Sequence, residues 1–222
     1  MGSSCERRRS GGDDGTVPSP DLASRTFTEN ARRAQIITAA ITTVNEIGYH
    51  RASLSEIAVR AGVAKSAIVY YFGARDRLLL SVVDQVFTDL GQEVAQVILA
   101  ETNPVTQLKA YLRAYLNYVG SHRAEVTAGI EIVVAHRTED GTPLYLTGTE
   151  EDSRIIRDIL AGGMDAGVFR QMPLSVAVSI VEAVLDVGVT EVQRDRSVDL
   201  TPFVDETVAF VLQGLRVERR DT

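Results

Sequence analysis

The chain has 222 residues, 45% of them hydrophobic and 24% charged, with 23 basic and 30 acidic side chains giving a formal net charge of −7. That suits a globular chain with a core of its own, arranged as one large or two small domains. No apolar run approaches the roughly 18 residues of a spanning helix, the opening MGSSCERRRSGGDDGTVPSP lacks a signal peptide's apolar stretch, and the single cysteine, Cys5, rules out an internal disulfide or Cys-based zinc site and fits a reducing cytoplasm.

Residues 1–24 are rich in Gly, Ser, Pro and both charge signs, too poor in apolar surface to offset the entropy of ordering them, and read as a disordered tail. Arg7, Arg8 and Arg9 within it are either a solvated charge run or an arm that touches phosphate. The overall negative charge conceals a partition. Residues 21–79 hold eight cations against five anions, whereas residues 80–222 hold 12 against 22. A basic head on an acidic body turns the head towards phosphate.

From Thr28 to Ile47 the positions Ile37, Ala40, Ile41, Val44 and Ile47 follow helical spacing, and Gly48 ends the pattern. Ser53 and Glu56 are spaced as a capping box opening a second helix, whose apolar face is Leu54, Ile57, Ala58 and Ala61. Gly62 suits the left-handed position that closes it. After Val63 and Ala64, helical spacing resumes with Ala67, Ile68, Tyr71 and Phe72, and Gly73 stops it. Two short helices joined by a Gly-containing turn form a helix-turn-helix, in which the second helix enters a DNA major groove. Lys65, one of only two lysines in the chain, stands at the N-terminal end of that recognition helix and can address guanine O6 and N7. At the other end, Tyr70 is read as a phosphate contact, and Tyr71 as either a phosphate contact or a core residue.

The stretch RRAQIITAAITTVNEIGYHRASLSEIAVRAGVAKSAIVYYFGARDRLL, Arg32 to Leu79, resembles without a gap the N-terminal domain of TetR-family transcriptional regulators. The resemblance lies in Ala39-Ala40, Gly48-Tyr49, Ile57-Ala58, Ala61-Gly62-Val63, Tyr70, Phe72 and Leu78-Leu79. It implies that Lys65, Ser66 and Ala67 face DNA bases, that Ser53, Tyr70, Tyr71 and Arg75 touch phosphates, and that the rest of the chain is a helical ligand-binding and dimerisation domain. Three positions depart from the pattern: Ala64 where a Ser commonly caps the recognition helix, Val69 where an aromatic is common, and Gly73 where a Lys is common. Each removes a backbone contact, although Val69 offers methyl groups to a thymine.

The expected fold is therefore all-α: a disordered tail (1–24), a three-helix DNA-binding domain (25–75) and a helical body (76–222). The body begins with an uninterrupted helical pattern from Asp76 to about Ala100. Further helices are expected at 105–121, 124–136, 149–162, 173–193 and 202–217, separated by Asn103-Pro104, Asp140-Gly141-Thr142-Pro143, Gly162-Gly163 and Met172-Pro173. Between Pro173 and Val192 only Ser175, Ser179, Glu182, Asp186 and Thr190 make a narrow polar stripe, so the helix must be covered twice. Packing of this helix and the last one against two-fold copies answers that need; Val176, Ile180, Val187, Phe203, Phe210 and Leu215 are the expected dimer face, and the dimer presents two recognition helices to a near-palindromic operator.

Tyr111, Tyr115, Tyr118 and His122 form an aromatic stripe with polar tips that reads either as plain core or as the wall of an effector pocket, with Glu131 and Phe169, and less directly Phe87 and Arg154, as further wall residues. Nothing points to catalysis: there is no Gly-rich phosphate loop, nucleophile elbow or usable cysteine, and the three histidines lack metal-site spacing, so no enzyme, metal or cofactor is expected. The function expected is a cytoplasmic DNA-binding regulator, a dimeric repressor released when a small molecule favours a conformation with its heads out of register. The alternative is an architectural or division-linked DNA-binding protein with no effector.

Overall fold

Burial of one apolar stripe per helix builds the molecule. The computed structural model describes residues 20–217, with side chains from Thr28 onward; the remaining residues, including Cys5 and the arginines at 7, 8 and 9, lie outside the described residues. Within them run α1 (Pro20–Ile47), α2 (Leu54–Ala61), α3 (Lys65–Phe72), α4 (Arg75–Ile98), α5 (Pro104–Ser121), α6 (Arg123–Ala135), α7 (Arg154–Asp165), α8 (Leu174–Arg194) and α9 (Thr201–Gly214), with 3-10 turns at Tyr49–Arg51 and Leu144–Leu146. No described helix is long and apolar enough to cross a membrane.

α1 starts earlier than the composition of the tail suggested. Pro20 occupies its first position, where a missing N–H costs nothing, so residues 20–24 are helical. Ile36, Ala40 and Val44 are fully buried along its inner face. At α2, Ser53 Oγ accepts a hydrogen bond from the Glu56 N–H at 3.2 Å. Only this half of the capping box forms, because the Ser53 N–H is spent on the Arg51 carbonyl at 2.8 Å. Gly62 ends α2 at φ 61°, ψ 34°. Gly73 ends α3 at φ 75°, ψ −61°, the centre of a tight turn closed by Ala74 N–H to the Phe72 carbonyl at 2.9 Å, and a side chain at that φ would be strained.

In the body α5 is central, packed against α4, α7, α8 and α9, with Leu108, Leu112 and Leu116 fully buried. α4 and α6 also pack on α1, so these two helices join the head to the body. α7 begins five residues later than expected, because Asp152 Oδ2 accepts from both the Thr149 N–H (2.6 Å) and its hydroxyl (3.0 Å), a local turn that competes with the helix. It then continues through Gly163, where the Phe169 ring packs so closely that a Cβ would stand 2.0 Å from it.

The wide apolar faces of α8 and α9 are covered on one side only among the described residues. Val178, Val181, Leu185, Val189 and Val192 are buried, while Val176, Val187, Ile180 (50% exposed) and, on α9, Phe210 (70% exposed) face outward. Phe203 and Leu215 do not join that outward face. Phe203 leans on Gly188, and Leu215 is buried in its own chain with its carbonyl accepting the Arg170 N–H at 2.9 Å.

Candidate nucleic-acid interface and cavity

Among the described residues nothing covers the outer face of α3. Ile68 and Phe72 are buried, which turns Lys65, Ser66, Val69 and Tyr70 (74% exposed) outward and leaves Ala67 half-buried. Ala64, at the N-cap, supplies no side-chain hydrogen bond. Tyr71 is half-buried and edge-on to Tyr70, with ring centroids 5.0 Å apart at 83°. Arg33 holds this end of the helix: it donates to the Tyr71 carbonyl at 2.7 Å while its guanidinium lies 4.4 Å over the Phe72 ring. Ser53 uses its oxygen as an acceptor for the cap, which keeps its hydroxyl proton available to a phosphate.

Arg75 is not available in the same way. Its Nε donates to the Ala52 carbonyl at 2.8 Å, one terminal nitrogen donates to the Tyr49 carbonyl, the other to Asp76 Oδ1 at 3.0 Å, and its guanidinium stacks 4.4 Å over the Tyr49 ring. The resemblance put it on phosphate; here it clamps the start of α4 to the turn after α1. Arg77, overlooked in the sequence, is exposed and stands 3.8 Å from where a Cβ of Gly73 would be, so it brings a cation to the place a Lys commonly fills.

Tyr49 is held at every polar atom. Its N–H donates to Glu131 Oε1 at 2.6 Å, its carbonyl takes Arg75, and its hydroxyl pairs with His136 Nδ1 at 2.9 Å, both residues being buried. Asn45 adds a bond to the Ala124 carbonyl at 2.8 Å. The head is thus latched to α6 by groups that cannot separate without leaving buried polar atoms unpaired.

Between α4, α5, α7 and α8 lies a cavity of about 760 Å³. α4 contributes Val83, Asp84, Phe87 and Val94, α5 contributes Tyr111 and Tyr115, α8 contributes Glu182, Leu185 and Asp186, and the turn with Leu144 and Tyr145 adds a further wall beside Val133 of α6. Burial first, then Glu182, pushes the Tyr111 phenol above its usual range; burial first, then Asp186, Tyr111 and Glu182, does so for Tyr115. Both stay neutral donors. Burial and then Glu182 raise the Asp186 carboxyl.

Residues 36–82 match the family model described as "Bacterial regulatory proteins, tetR family". That stretch, the head of the molecule, is a TetR-family DNA-binding domain. The HTH-type transcriptional activator FasR of Mycolicibacterium smegmatis is 27% identical to this chain over 187 residues, 83% of each. BetI 1 of Chromohalobacter salexigens is 43% identical over 65 residues, a match that takes in 29% of this chain and 32% of that protein. Two solved structures share the fold: the fatty acid degradation regulator FadR from Bacillus halodurans (24% identity, TM-score 0.68, 84% of this chain and 97% of that one) and FadR from Bacillus subtilis in complex with stearoyl-CoA (20% identity, TM-score 0.69, 82% and 99%).

The expected pocket wall divides. Tyr111, Tyr115 and Phe87 line the cavity; Tyr118, His122, Glu131, Phe169 and Arg154 do not. Tyr118 is buried, donates to the Val86 carbonyl at 3.3 Å and stacks on His122 at 4.0 Å. Glu131 serves the latch, Phe169 fills the notch at Gly163, and Arg154 pairs with Glu151 on the surface. Glu182 and Asp186, two members of the narrow polar stripe on α8, line the cavity as well.

Proposed function

We propose that this regulator binds a near-palindromic operator as a homodimer and is released from it when a small molecule occupies the cavity. The observation that carries the reading is that α4 does two jobs: one turn after another lines the cavity, and its first residue, Arg75, is clamped to the DNA-binding head. A ligand that prefers a tilted α4 moves the head with it, and its differential affinity for the two arrangements sets how far the equilibrium shifts. A second route runs in parallel. Val133 lines the cavity two residues beyond Glu131 on α6, and Leu144 lines it while donating its N–H to the His136 carbonyl at 3.1 Å; Glu131 and His136 hold Tyr49 together with Arg75.

Lys65, Ser66, Ala67 and Val69 are assigned to bases, and Ser53, Tyr70, Tyr71 and Arg77 to phosphates. The outward residues Val176, Ile180, Val187 and Phe210 form the two-fold interface, because an apolar strip of that extent on neighbouring helices calls for a partner. The relative FasR is named an activator, so a ligand-controlled activator on the same geometry is the second reading.

The test is selection from a random duplex pool with the full-length protein at near-physiological salt, where nonspecific phosphate attraction is suppressed. Recovery of one two-fold-symmetric motif is expected. Salt-sensitive binding with no enriched motif would overturn the reading in favour of an architectural DNA-binding protein.

A further inference from the structure

The polar chemistry of the cavity is one-sided. Asp84 of α4, Asp152 of the loop before α7, and Glu182 and Asp186, one turn apart on α8, all line it, and no lysine, arginine or histidine among the described residues does. Arginines stand nearby, yet Arg154 is drawn to Glu151 and Arg157 to Glu150. None of the four carboxylates pairs with a cation among the described residues. Asp152 accepts from Thr149, and Glu182 from the Ser153 hydroxyl, but the carboxylates of Asp84 and Asp186 accept no hydrogen bond there.

Aromatic rings complete the lining. Tyr111 and Tyr115 present rings 6.4 Å apart and tilted by 35°, Phe87 faces them from α4, and neither phenol makes a hydrogen bond to any described residue. A ring face attracts a cation, and it does so more strongly where water is partly excluded. The same exclusion makes like-charge contact costly for an anion. The volume of about 760 Å³ falls in the range of sites for drug-sized molecules.

We propose that the cavity takes a hydrophobic monocation of drug size, a quaternary ammonium, phosphonium or protonated amine, with its charge between the Glu182 and Asp186 carboxylates and its body against Tyr111, Tyr115 and Phe87. The proposal rests on the cavity's being the effector site, and it names the class of effector. Glu182 and Asp186 lie at i and i+4 on α8, so both carboxylates stand on one face of a rigid helix, and both line the cavity. The unpartnered phenols leave two donors for a second polar group on the ligand.

The test uses a pair of probes of nearly the same shape and opposite charge. Tetraphenylphosphonium and tetraphenylborate are titrated calorimetrically into the full-length protein, with the Glu182→Gln, Asp186→Asn and double variants alongside and their melting curves recorded. The phosphonium is expected to bind at least tenfold more tightly than the borate, and each substitution to weaken it by roughly tenfold. Equal binding, preference for the borate, or binding of neither probe to the wild-type protein overturns the assignment, and this comparison stands even where a variant fails to fold. A folded double variant that keeps the full preference overturns it as well. Fluorescence anisotropy of the selected duplex separates the two readings. Tight phosphonium binding that leaves DNA bound keeps the ligand class and refutes release; release by the borate alone keeps release and refutes the class.

Discussion

Removal of the Arg75 side chain separates the clamp seen in the structure from the phosphate ligand implied by resemblance. In Arg75→Ala two charge-assisted hydrogen bonds, to the carbonyls of Ala52 and Tyr49, are lost, at about 1.5–3 kcal/mol each. The stacked guanidinium over Tyr49 adds about 0.5–1 kcal/mol. The pair with Asp76, on an exposed carboxylate, adds at most about 1 kcal/mol and is discounted. Because these share one side chain they do not sum fully, and about 3–5 kcal/mol is expected. At about 2–4 °C per kcal/mol for a chain of this size, the melting temperature falls by about 6–20 °C at fixed protein concentration. The decisive assay adds a salt titration of operator affinity. A clamp leaves the slope of log K against log salt unchanged, whereas a lost phosphate contact in each protomer of a dimer lowers it by about 1.8. A variant that melts within 2 °C of wild type yet has the shallower slope would refute the clamp.

Four further outcomes are expected. Lys65→Ala weakens operator binding by about 1–3 kcal/mol and relaxes base preference at one position per half-site, which a repeat of the duplex selection reads; unchanged preference there removes Lys65 from base recognition. Ile180→Glu places a charge on the outward face of α8, and sedimentation should show monomer in place of dimer, with loss of two-fold operator binding; an unaltered dimer relocates the interface. Gly163→Ala drives a methyl group into the Phe169 ring, 2.0 Å from its nearest carbon, and is expected to cost about 1–3 kcal/mol in urea unfolding; a neutral effect means the ring moves freely and does not fix α7. Asp186→Asn should raise the melting temperature at neutral pH. Burial and Glu182 raise the folded-state pKa of Asp186 above the unfolded 3.8, so its contribution to stability is fully present only below that value and is lost as pH rises through the folded pKa; the advantage of the variant shrinks as pH falls towards 3.8. Identical melting at pH 7 contradicts a desolvated carboxylate.

By itself the sequence determined the all-α class, the helix-turn-helix and the course of the long α4, because each rests on signals a few residues apart. Ser53 before α2, Gly62 at φ 61° and Gly73 at φ 75° are local choices that bound α2 and α3 whatever the rest of the chain does. The outward placing of Tyr70 follows from the burial of Ile68 and Phe72, which are one helical turn from each other and each two residues from Tyr70, on the opposite face of α3. The tertiary structure decided which neighbour each face meets. Tyr111, Tyr115 and Tyr118 share a stripe by spacing, yet two line the cavity and the third is taken up by the Val86 carbonyl, because α4 passes closer at that level of α5. Glu182 and Asp186 look solvent-facing on a helical wheel, and only the packing of α8 beside α5 and α7 turns that polar stripe onto a cavity. Arg75 and Glu131 likewise gained their partners from chain segments 23–26 and 82 residues away. Periodicity fixes the direction of a side chain from its own helix, but its partner is set by long-range packing that no local pattern encodes.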